Sequence, residues 1–351
     1  MKSKYFISSA IATLALSCAA ASMPNYTVKV TFTPDEDGLQ LYMLNFDNGE
    51  KLDSVLVDNG MAVFQGNIEA PVMAQLVLDG SRAGQFILEP GEITVNPMQR
   101  TTESTGELNK SLKDLNEKQR AIVMEYNSLP NDSTLETRRE ELTRRYDALN
   151  DSVFAANADN VLGLSIFLQN AYGYDLATLD SQLAKYPGLA KSQRIAKLRE
   201  SLIKKDETSV GHKFKDFEIT HDGKTQRLSD YVGKGKYTLV DFWASWCGPC
   251  IRETKVIKEL YNAYADKGLE ILGVAVWDEP ANTLKAIEEH QLPWKQIINA
   301  QSIPTDIYGI SGIPCIILFD PDGNIVSRDK QDQELVNDVN AAMAKIITPE
   351  E

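Results

Sequence analysis

Two cysteines separated by two residues are the side chains best suited to chemistry in this chain. They belong to the segment Trp246-Cys247-Gly248-Pro249-Cys250, between the apolar run 237–243 and an amphipathic stretch. In the first turn of a helix such a pair can close a disulfide with little backbone movement, and the unpaired N–H groups and dipole there stabilise a thiolate. The thiolate is the attacking species in disulfide exchange. The spacing therefore predicts a redox pair, with Cys247 as the exposed nucleophile and Cys250 as the more buried resolving thiol.

Other interpretations of these residues stay open at this point. A structural zinc site needs about four ligands. The further candidates show no second paired spacing; they are Cys315, His212, His221 and His290. A purely structural disulfide is the other alternative. Cys315 itself is either a small buried hydrophobe, as free cysteines often are, or a third redox thiol.

Composition excludes several classes of protein. The chain has 351 residues, with 50 acidic and 36 basic side chains and a net charge of −14, which argues against a nucleic-acid-binding protein. Hydrophobic residues make up 43% and charged residues 25%, as in globular proteins rather than disordered or multi-span membrane proteins. Four cysteines are too few for a disulfide-stapled scaffold of this length, and the length predicts two or three domains.

Residues 1–21 resemble a secretory signal peptide. Lys2 and Lys4 precede the short apolar run 6–16, and small residues follow. Cleavage before Ser22 and lipidation of Cys18 within a lipobox-like segment are both open. Either outcome predicts export of the protein, as a soluble chain or as one anchored by lipid.

Two regions of different period follow the leader. Residues 22–102 show two-residue alternation, as at Tyr26, Val28 and Val30, and frequent turn signals, which predicts a small antiparallel β-domain. The clearest turn signal is Asn59-Gly60, typical of a tight hairpin. Residues 103–206 have a helical period and no group suited to chemistry.

Residues 207–351 alternate strands and helices. The expected order is β-α-β-α-β-β-α, an α/β sheet with one hairpin. The strands are predicted at 237–243, 269–276, 315–319 and 324–327, and the helices at 250–266, 282–290 and 333–346.

The run Val240–Cys250 resembles the active-site signature of the thioredoxin superfamily, and Gly312-Ile313-Pro314 resembles its cis-proline loop. The lead-in Leu228-Ser229-Asp230-Tyr231 and an insertion at about 278–305 are similar to those of the exported TlpA and ResA type. With its N-terminal β-domain and helical middle, the chain resembles a three-part arrangement common in Bacteroidetes, whose first part is a domain of unknown function. No peroxidatic Pro-x-x-x-Thr-x-x-Cys occurs, which argues against peroxidase chemistry.

The resemblance implies a role for each matching residue. Cys247 is the nucleophile and Cys250 the resolving thiol. Asp241 is the buried acid that takes the proton of the second thiol, and an ordinary polar strand residue is the alternative. Pro314 is expected to be cis, so that the backbone of Ile313 pairs with an extended substrate. Trp246, Gly248 and Pro249 are expected to line the substrate-binding surface around the pair, with Trp243 in the core.

The implied function is an exported thiol:disulfide oxidoreductase that reduces disulfides of extracytoplasmic proteins in the periplasm. A membrane thiol donor of the DsbD or CcdA type would re-reduce it, and no cofactor, metal or nucleic acid is implied. The first alternative is an oxidase or isomerase that uses the same cysteines. The second is a module that docks a partner and carries a vestigial thioredoxin domain.

Overall fold

The computed structural model describes residues 23–347, so the leader and Cys18 lie outside the described residues. The chain forms two compact units that divide between Ile166 and Phe167. This division falls inside the segment 103–206, and the domain boundaries drawn from the sequence remain predictions. None of the helices within residues 23–347 is both long enough and apolar enough to cross a membrane.

The first unit contains two four-stranded sheets whose inner faces form one core. Alternation along the strands buries Val28, Val30 and Phe64 of one sheet against Leu41 and Phe86 of the other. The sheets have the orders β4-β1-β7-β8 and β3-β2-β5-β6. Pairing is antiparallel except between β1 and β7, which run parallel. The strands are β1 (Tyr26–Thr31), β2 (Gln40–Asn45), β3 (Lys51–Leu56), β4 (Met61–Gly66), β5 (Val72–Leu78), β6 (Ser81–Leu88), β7 (Gly91–Asn96) and β8 (Thr101–Ser104).

The turn at Asn59-Gly60 forms as the sequence predicts, but it does not join a hairpin. Both residues have positive φ, 50° and 68°, and the backbones of Asp58 and Met61 exchange two hydrogen bonds across the turn. The flanking strands β3 and β4, however, belong to different sheets. The turn therefore carries the chain from one layer to the other, because each strand buries its apolar side chains in the shared core.

Three helices follow in the chain, as the helical period of residues 103–206 predicts. Leu115, Leu162 and Ile166 pack against Met73 and Ile87 on the outer face of the β5–β6 pair. These helices are α1 (Glu107–Asn127), α2 (Leu135–Asn157) and α3 (Val161–Ala171).

The second unit is built on a five-stranded sheet of order β13-β12-β11-β14-β15. Strands β11, β12 and β13 are parallel, and β14 and β15 are antiparallel to their neighbours. Its elements are α4 (Leu176–Lys185), α5 (Gln193–Asp206), β9 (Glu218–His221), β10 (Lys224–Arg227), β11 (Tyr237–Trp243), α6 (Gly248–Tyr264), β12 (Leu269–Ala275), α7 (Pro280–Glu289), β13 (Lys295–Ile297), α8 (Ile303–Tyr308), β14 (Cys315–Phe319), β15 (Ile325–Arg328) and α9 (Asp332–Ile347).

The predicted α/β alternation is confirmed for the long elements, and four short ones were not predicted. These are the hairpin β9–β10, strand β13 and helix α8. The hairpin carries its own signal, because Asp222-Gly223 joins its strands with φ values of 48° and 73°. Strand β13 has three residues, too few to establish a period.

The central strand β11 is buried along its whole length and separates two cores. Its odd-numbered residues Leu239 and Trp243 pack in the cluster that contains both Cys247 and Cys250. Its even-numbered residues pack with Tyr308 on the opposite face. The chain leaves β11 directly into the loop that leads to α6, so this strand fixes where the cysteine pair lies.

Candidate functional site

The cysteine pair lies where β11 gives way to α6. Cys247 is the N-cap residue of the helix, and it forms a disulfide with Cys250 in the first turn. The backbone N–H of Cys250 donates to the Sγ of Cys247 at 3.1 Å. One of the N–H groups that a helix start leaves unpaired therefore points at the sulfur, an arrangement that favours negative charge there. Pro249 lies in this first turn, where a missing N–H does no harm.

The expected exposure of Cys247 is wrong for this disulfide-bonded form. Cys250 is completely buried, as predicted, but Cys247 is also only 4% exposed. The loop before β14 covers it, because the carbonyl oxygen of Ile313 lies 3.7 Å from the Cys247 sulfur. Trp246 is 62% exposed and Trp243 is 1% exposed, which confirms the expected rim and core positions of these two indoles.

The loop that faces the pair carries the cis peptide bond expected between Ile313 and Pro314. Strand β14 begins at the next residue, Cys315, which pairs with Phe242 near the end of β11. Because β14 is the immediate neighbour of β11, the sheet brings two segments together that are more than sixty residues apart in sequence.

Asp241 lies in the interior, on the same face of β11 as Leu239 and Trp243. It is 1% exposed, and its Oδ1 has no hydrogen-bond partner among the described residues. Burial, and secondarily the charge of Glu253, raises the pKa of Asp241 to about 8. A carboxyl in this setting is mainly protonated at neutral pH.

Glu253 is a second buried acid that the sequence analysis did not select. It lies in the second turn of α6, is 4% exposed, and accepts a hydrogen bond from the N–H of Asp332 at 2.9 Å. Burial raises its pKa, while the bond from the Asp332 amide partly opposes that rise. Its position one turn after Cys250 on a helix was the signal that could have identified it.

The Trp243 side chain is held by a hydrogen bond to Gln296, and the Gln296 side chain fits only because residue 273 of β12 is a glycine. Its indole Nε1 donates to Oε1 of Gln296 at 3.1 Å. A Cβ at Gly273 would lie 2.0 Å from that same oxygen. Gly273 pairs with Asp241 on one side and Gln296 on the other, so the Gln296 side chain reaches over the glycine towards the core beneath the disulfide.

Cys315 is a free, buried thiol whose Sγ donates to Oδ1 of Asp329 at 3.1 Å. Burial, together with the negative charge of Asp329, raises its pKa well above the usual value. Both effects oppose formation of a thiolate. The contacts therefore favour the packing interpretation of Cys315 over that of a third redox thiol.

Histidine, cysteine, aspartate and glutamate side chains form no group of three or more suited to a metal ion within the part of the chain that the structure describes.

Two segments of the chain match known protein families. Residues 210–328 match the model of the AhpC/TSA family, and residues 26–109 match a domain of unknown function, DUF4369. The thiol-disulfide oxidoreductase ResA of Geobacillus thermodenitrificans is 35% identical over 122 residues, which cover 34% of this chain and 69% of ResA. The chain belongs to the ResA-type thiol-disulfide oxidoreductases.

Two solved structures are similar to part of this thiol-disulfide oxidoreductase. The thioredoxin domain of a thiol-disulfide oxidoreductase from Bacteroides vulgatus is 35% identical, with a TM-score of 0.34, over 38% of this chain and 96% of that domain. A thiol:disulfide interchange protein from a Bacteroides species is 34% identical, with a TM-score of 0.36, over 41% of this chain and 95% of its own. The C-terminal domain of the chain is thioredoxin-like, as the sequence predicts, and the DUF4369 match covers its N-terminal β-strands.

Replacement of Asp241 by Asn is expected to stabilise the oxidised protein increasingly between pH 4 and pH 8. The folded-state pKa of about 8 lies above the ordinary value of 3.8, so the unfolded chain releases this proton first and wild-type stability falls as pH rises through that window. The variant lacks this penalty. Its advantage in the free energy of unfolding should grow by at most about 1.4 kcal/mol per pH unit and level off above pH 8.

Urea unfolding of the disulfide-bonded full-length protein at several pH values measures this difference. Asp266→Asn is the matched control, because Asp266 is exposed. A difference between Asp241→Asn and wild type that is the same at every pH would contradict the prediction.

Proposed function

We propose that the protein is an exported thiol:disulfide reductase that reduces disulfides of extracytoplasmic proteins through Cys247 and Cys250. The observation that carries the proposal is the disulfide at the N-terminus of α6, with the Cys250 N–H on the Cys247 sulfur. The buried acid Asp241 below it and the cis-proline loop across from it support the same assignment. Family membership supplies the reaction class.

Cys247 is the attacking residue in this proposal. In the reduced protein its thiolate attacks one sulfur of a client disulfide, a mixed disulfide forms, and the other client sulfur leaves as a thiolate. The N-cap position of Cys247 and the Cys250 amide lower the cost of keeping that sulfur ionised.

Cys250 completes the reaction with Asp241 as the proton acceptor. The ionised form of Asp241, a minority at neutral pH, takes the proton of Cys250. Cys250 then attacks the Cys247 sulfur, which closes the internal disulfide and releases the second client thiolate. The client gains two electrons and the protein loses them. The raised pKa of Asp241, about 8, makes its carboxylate a stronger base than an ordinary aspartate and so better able to accept a proton from a thiol.

The substrate surface is assigned to the residues around the pair. Trp246 offers an exposed indole beside Cys247, and Gly248 and Pro249 form the exposed start of α6. Ile313 lies above the sulfur with its carbonyl oxygen near Cys247. An extended client segment could pair with the Ile313 backbone while its disulfide approaches Cys247.

The insulin reduction assay tests the assignment of the two cysteines. Cys247→Ser is expected to reduce the rate to background, because the attacking thiolate is lost. Cys315→Ser is the matched control and should keep the wild-type rate, since the Cys315 thiol is buried and bound to Asp329. Equal rates for wild type and Cys247→Ser would overturn the proposed function, and loss of activity in Cys315→Ser would give that thiol a redox role.

The direction of electron flow is assigned from residues shared with thioredoxin. These are the Gly248-Pro249 dipeptide between the cysteines, Asp241, and Ile313 before the cis-proline. The reduction potential of the Cys247–Cys250 pair, measured against glutathione, is expected near the value of about −270 mV for thioredoxin rather than about −120 mV for DsbA. A value near that of DsbA would identify an oxidase.

The proposed export is based on the leader sequence, and the proposed partner is based on the redox chemistry of the cysteine pair. Residues 1–21 direct the chain to the periplasm, where it is soluble or held by lipid on Cys18. Because each turnover oxidises the cysteine pair, continued activity needs an incoming dithiol, which a membrane thiol donor of the DsbD or CcdA type supplies.

Trapping with Cys250→Ser in the native host tests both assignments. Without the resolving thiol, mixed disulfides on Cys247 should accumulate with exported proteins and with the membrane donor. They should appear in periplasmic or membrane fractions, and an added Cys18→Ser change should release a lipid-anchored form from the membrane. Mixed disulfides with cytosolic proteins alone would contradict export.

A further inference from the structure

The loop that delivers Cys247 is held by a buried carboxylate from another part of the chain. After β11 ends, the N–H of Ser245 donates to Oδ2 of Asp278 at 2.8 Å, and the Ser245 hydroxyl donates to Oδ1 at 2.9 Å. Ser245 is two residues before Cys247. Asp278 follows the end of β12 and lies at the start of the insertion noted in the sequence.

The Asp278 carboxylate is fully used by hydrogen bonds. Its Oδ2 also accepts from the hydroxyl of Thr283 at 2.8 Å, and its Oδ1 also accepts from the N–H of Glu279 at 2.9 Å. Asp278 is 5% exposed. Each of the two oxygens accepts two hydrogen bonds, so the carboxylate is held in one orientation. Two of the four donors, Glu279 and Thr283, belong to the start of α7.

A second contact joins the same two segments. The indole Nε1 of Trp246 donates to the carbonyl oxygen of Trp277 at 2.9 Å. Gln301 in turn donates through Nε2 to the carbonyl oxygen of Asp278 at 2.8 Å. Ser245 and Trp246, which precede Cys247, are thus hydrogen-bonded to Asp278 and to the Trp277 carbonyl. The Asp278 carbonyl is in turn hydrogen-bonded to Gln301.

We propose that Asp278 is a positioning residue for the nucleophile. By holding Ser245, it keeps the Cys247 sulfur where it accepts the hydrogen bond from the Cys250 N–H. This inference rests on the proposed role of Cys247. Asp278 does not act on the reacting atoms, and its effect passes through the backbone of residues 245–247. If the loop shifts, the sulfur loses its alignment with the amide, the thiolate is less stabilised, and attack slows.

Two substitutions of Asp278 separate its hydrogen bonds from its volume. Asp278→Ala removes all four bonds. Asp278→Asn keeps nearly the same shape, but its NH₂ group must face the backbone N–H of Ser245 in one orientation or that of Glu279 in the other. Neither N–H can rotate away, so one donor always opposes another.

Two control variants address the Thr283 bond to the carboxylate and the stability of the domain. Thr283→Val removes one bond to Asp278 and keeps both bonds to Ser245. Val232→Ala removes buried methyl groups on the sheet face opposite the cysteines and serves as a destabilised control. Urea unfolding shows which variants lose comparable stability.

The decisive measurement is the pH profile of Cys247 alkylation by iodoacetamide in the reduced full-length protein. We expect the rate at pH 7 to fall in Asp278→Ala by up to about tenfold for each unit by which the Cys247 pKa rises, because only the thiolate reacts. The apparent pKa of Cys247 should rise, because the thiolate loses the Cys250 amide. Asp278→Asn should shift in the same direction, Thr283→Val less, and Val232→Ala not at all.

The opposite shift would overturn the proposal. Removal of a carboxylate charge without any movement of the loop would lower the Cys247 pKa. A wild-type profile in Asp278→Ala, or an equal change in a Val232→Ala variant of matched stability, would overturn it as well. If the wild-type thiol is itself unreactive at neutral pH, the proposed function fails, and that result is distinct from a reactive wild type with unaffected Asp278 variants.

Discussion

The bond from the Cys250 amide to the Cys247 sulfur is the interaction on which the rest of the site depends. It exists because a strand buried on both faces, β11, ends directly before a helix whose first N–H groups have no partner within the helix. The strand cannot slide, since its side chains fill two separate cores. The sulfur therefore receives a backbone donor whose position is set by the whole sheet.

Two buried acids make the interior beneath this bond costly to ionise. Within residues 23–347, one oxygen of Asp241 has no hydrogen-bond partner, and Glu253 accepts a bond from the amide of Asp332 at the start of α9. Each negative charge makes the other harder to form, in addition to the cost of burial. A carboxylate that does form there is a stronger base than an ordinary one, which suits it to take a proton from the thiol above it.

The sequence predicted what local spacing determines. The cysteine pair, its place at a helix start, the buried acid in β11 and the cis bond before Pro314 all follow from short motifs. The exposure of Cys247 could not be predicted in this way, because the loop at Ile313 that covers it is distant in sequence. Asp278 and Gln296 were missed for the same reason. Glu253 differs from them, because it lies one turn after Cys250 on α6 and its local spacing was a usable signal.

The strands show the same limit. The φ values at Asn59 and Gly60 follow from their residue types, whereas the sheet that each flanking strand joins depends on where its apolar face is buried. The β9–β10 hairpin had a readable Asp-Gly turn, but its four-residue strands carry little apolar pattern.

The space that Gly273 leaves is filled by the Gln296 side chain, so a substitution at one position has a direct steric effect on the other. A lineage that acquired alanine at 273 would have to replace or redirect the glutamine, and the Trp243 indole would then need another acceptor. Among relatives, the two sites should change together or not at all.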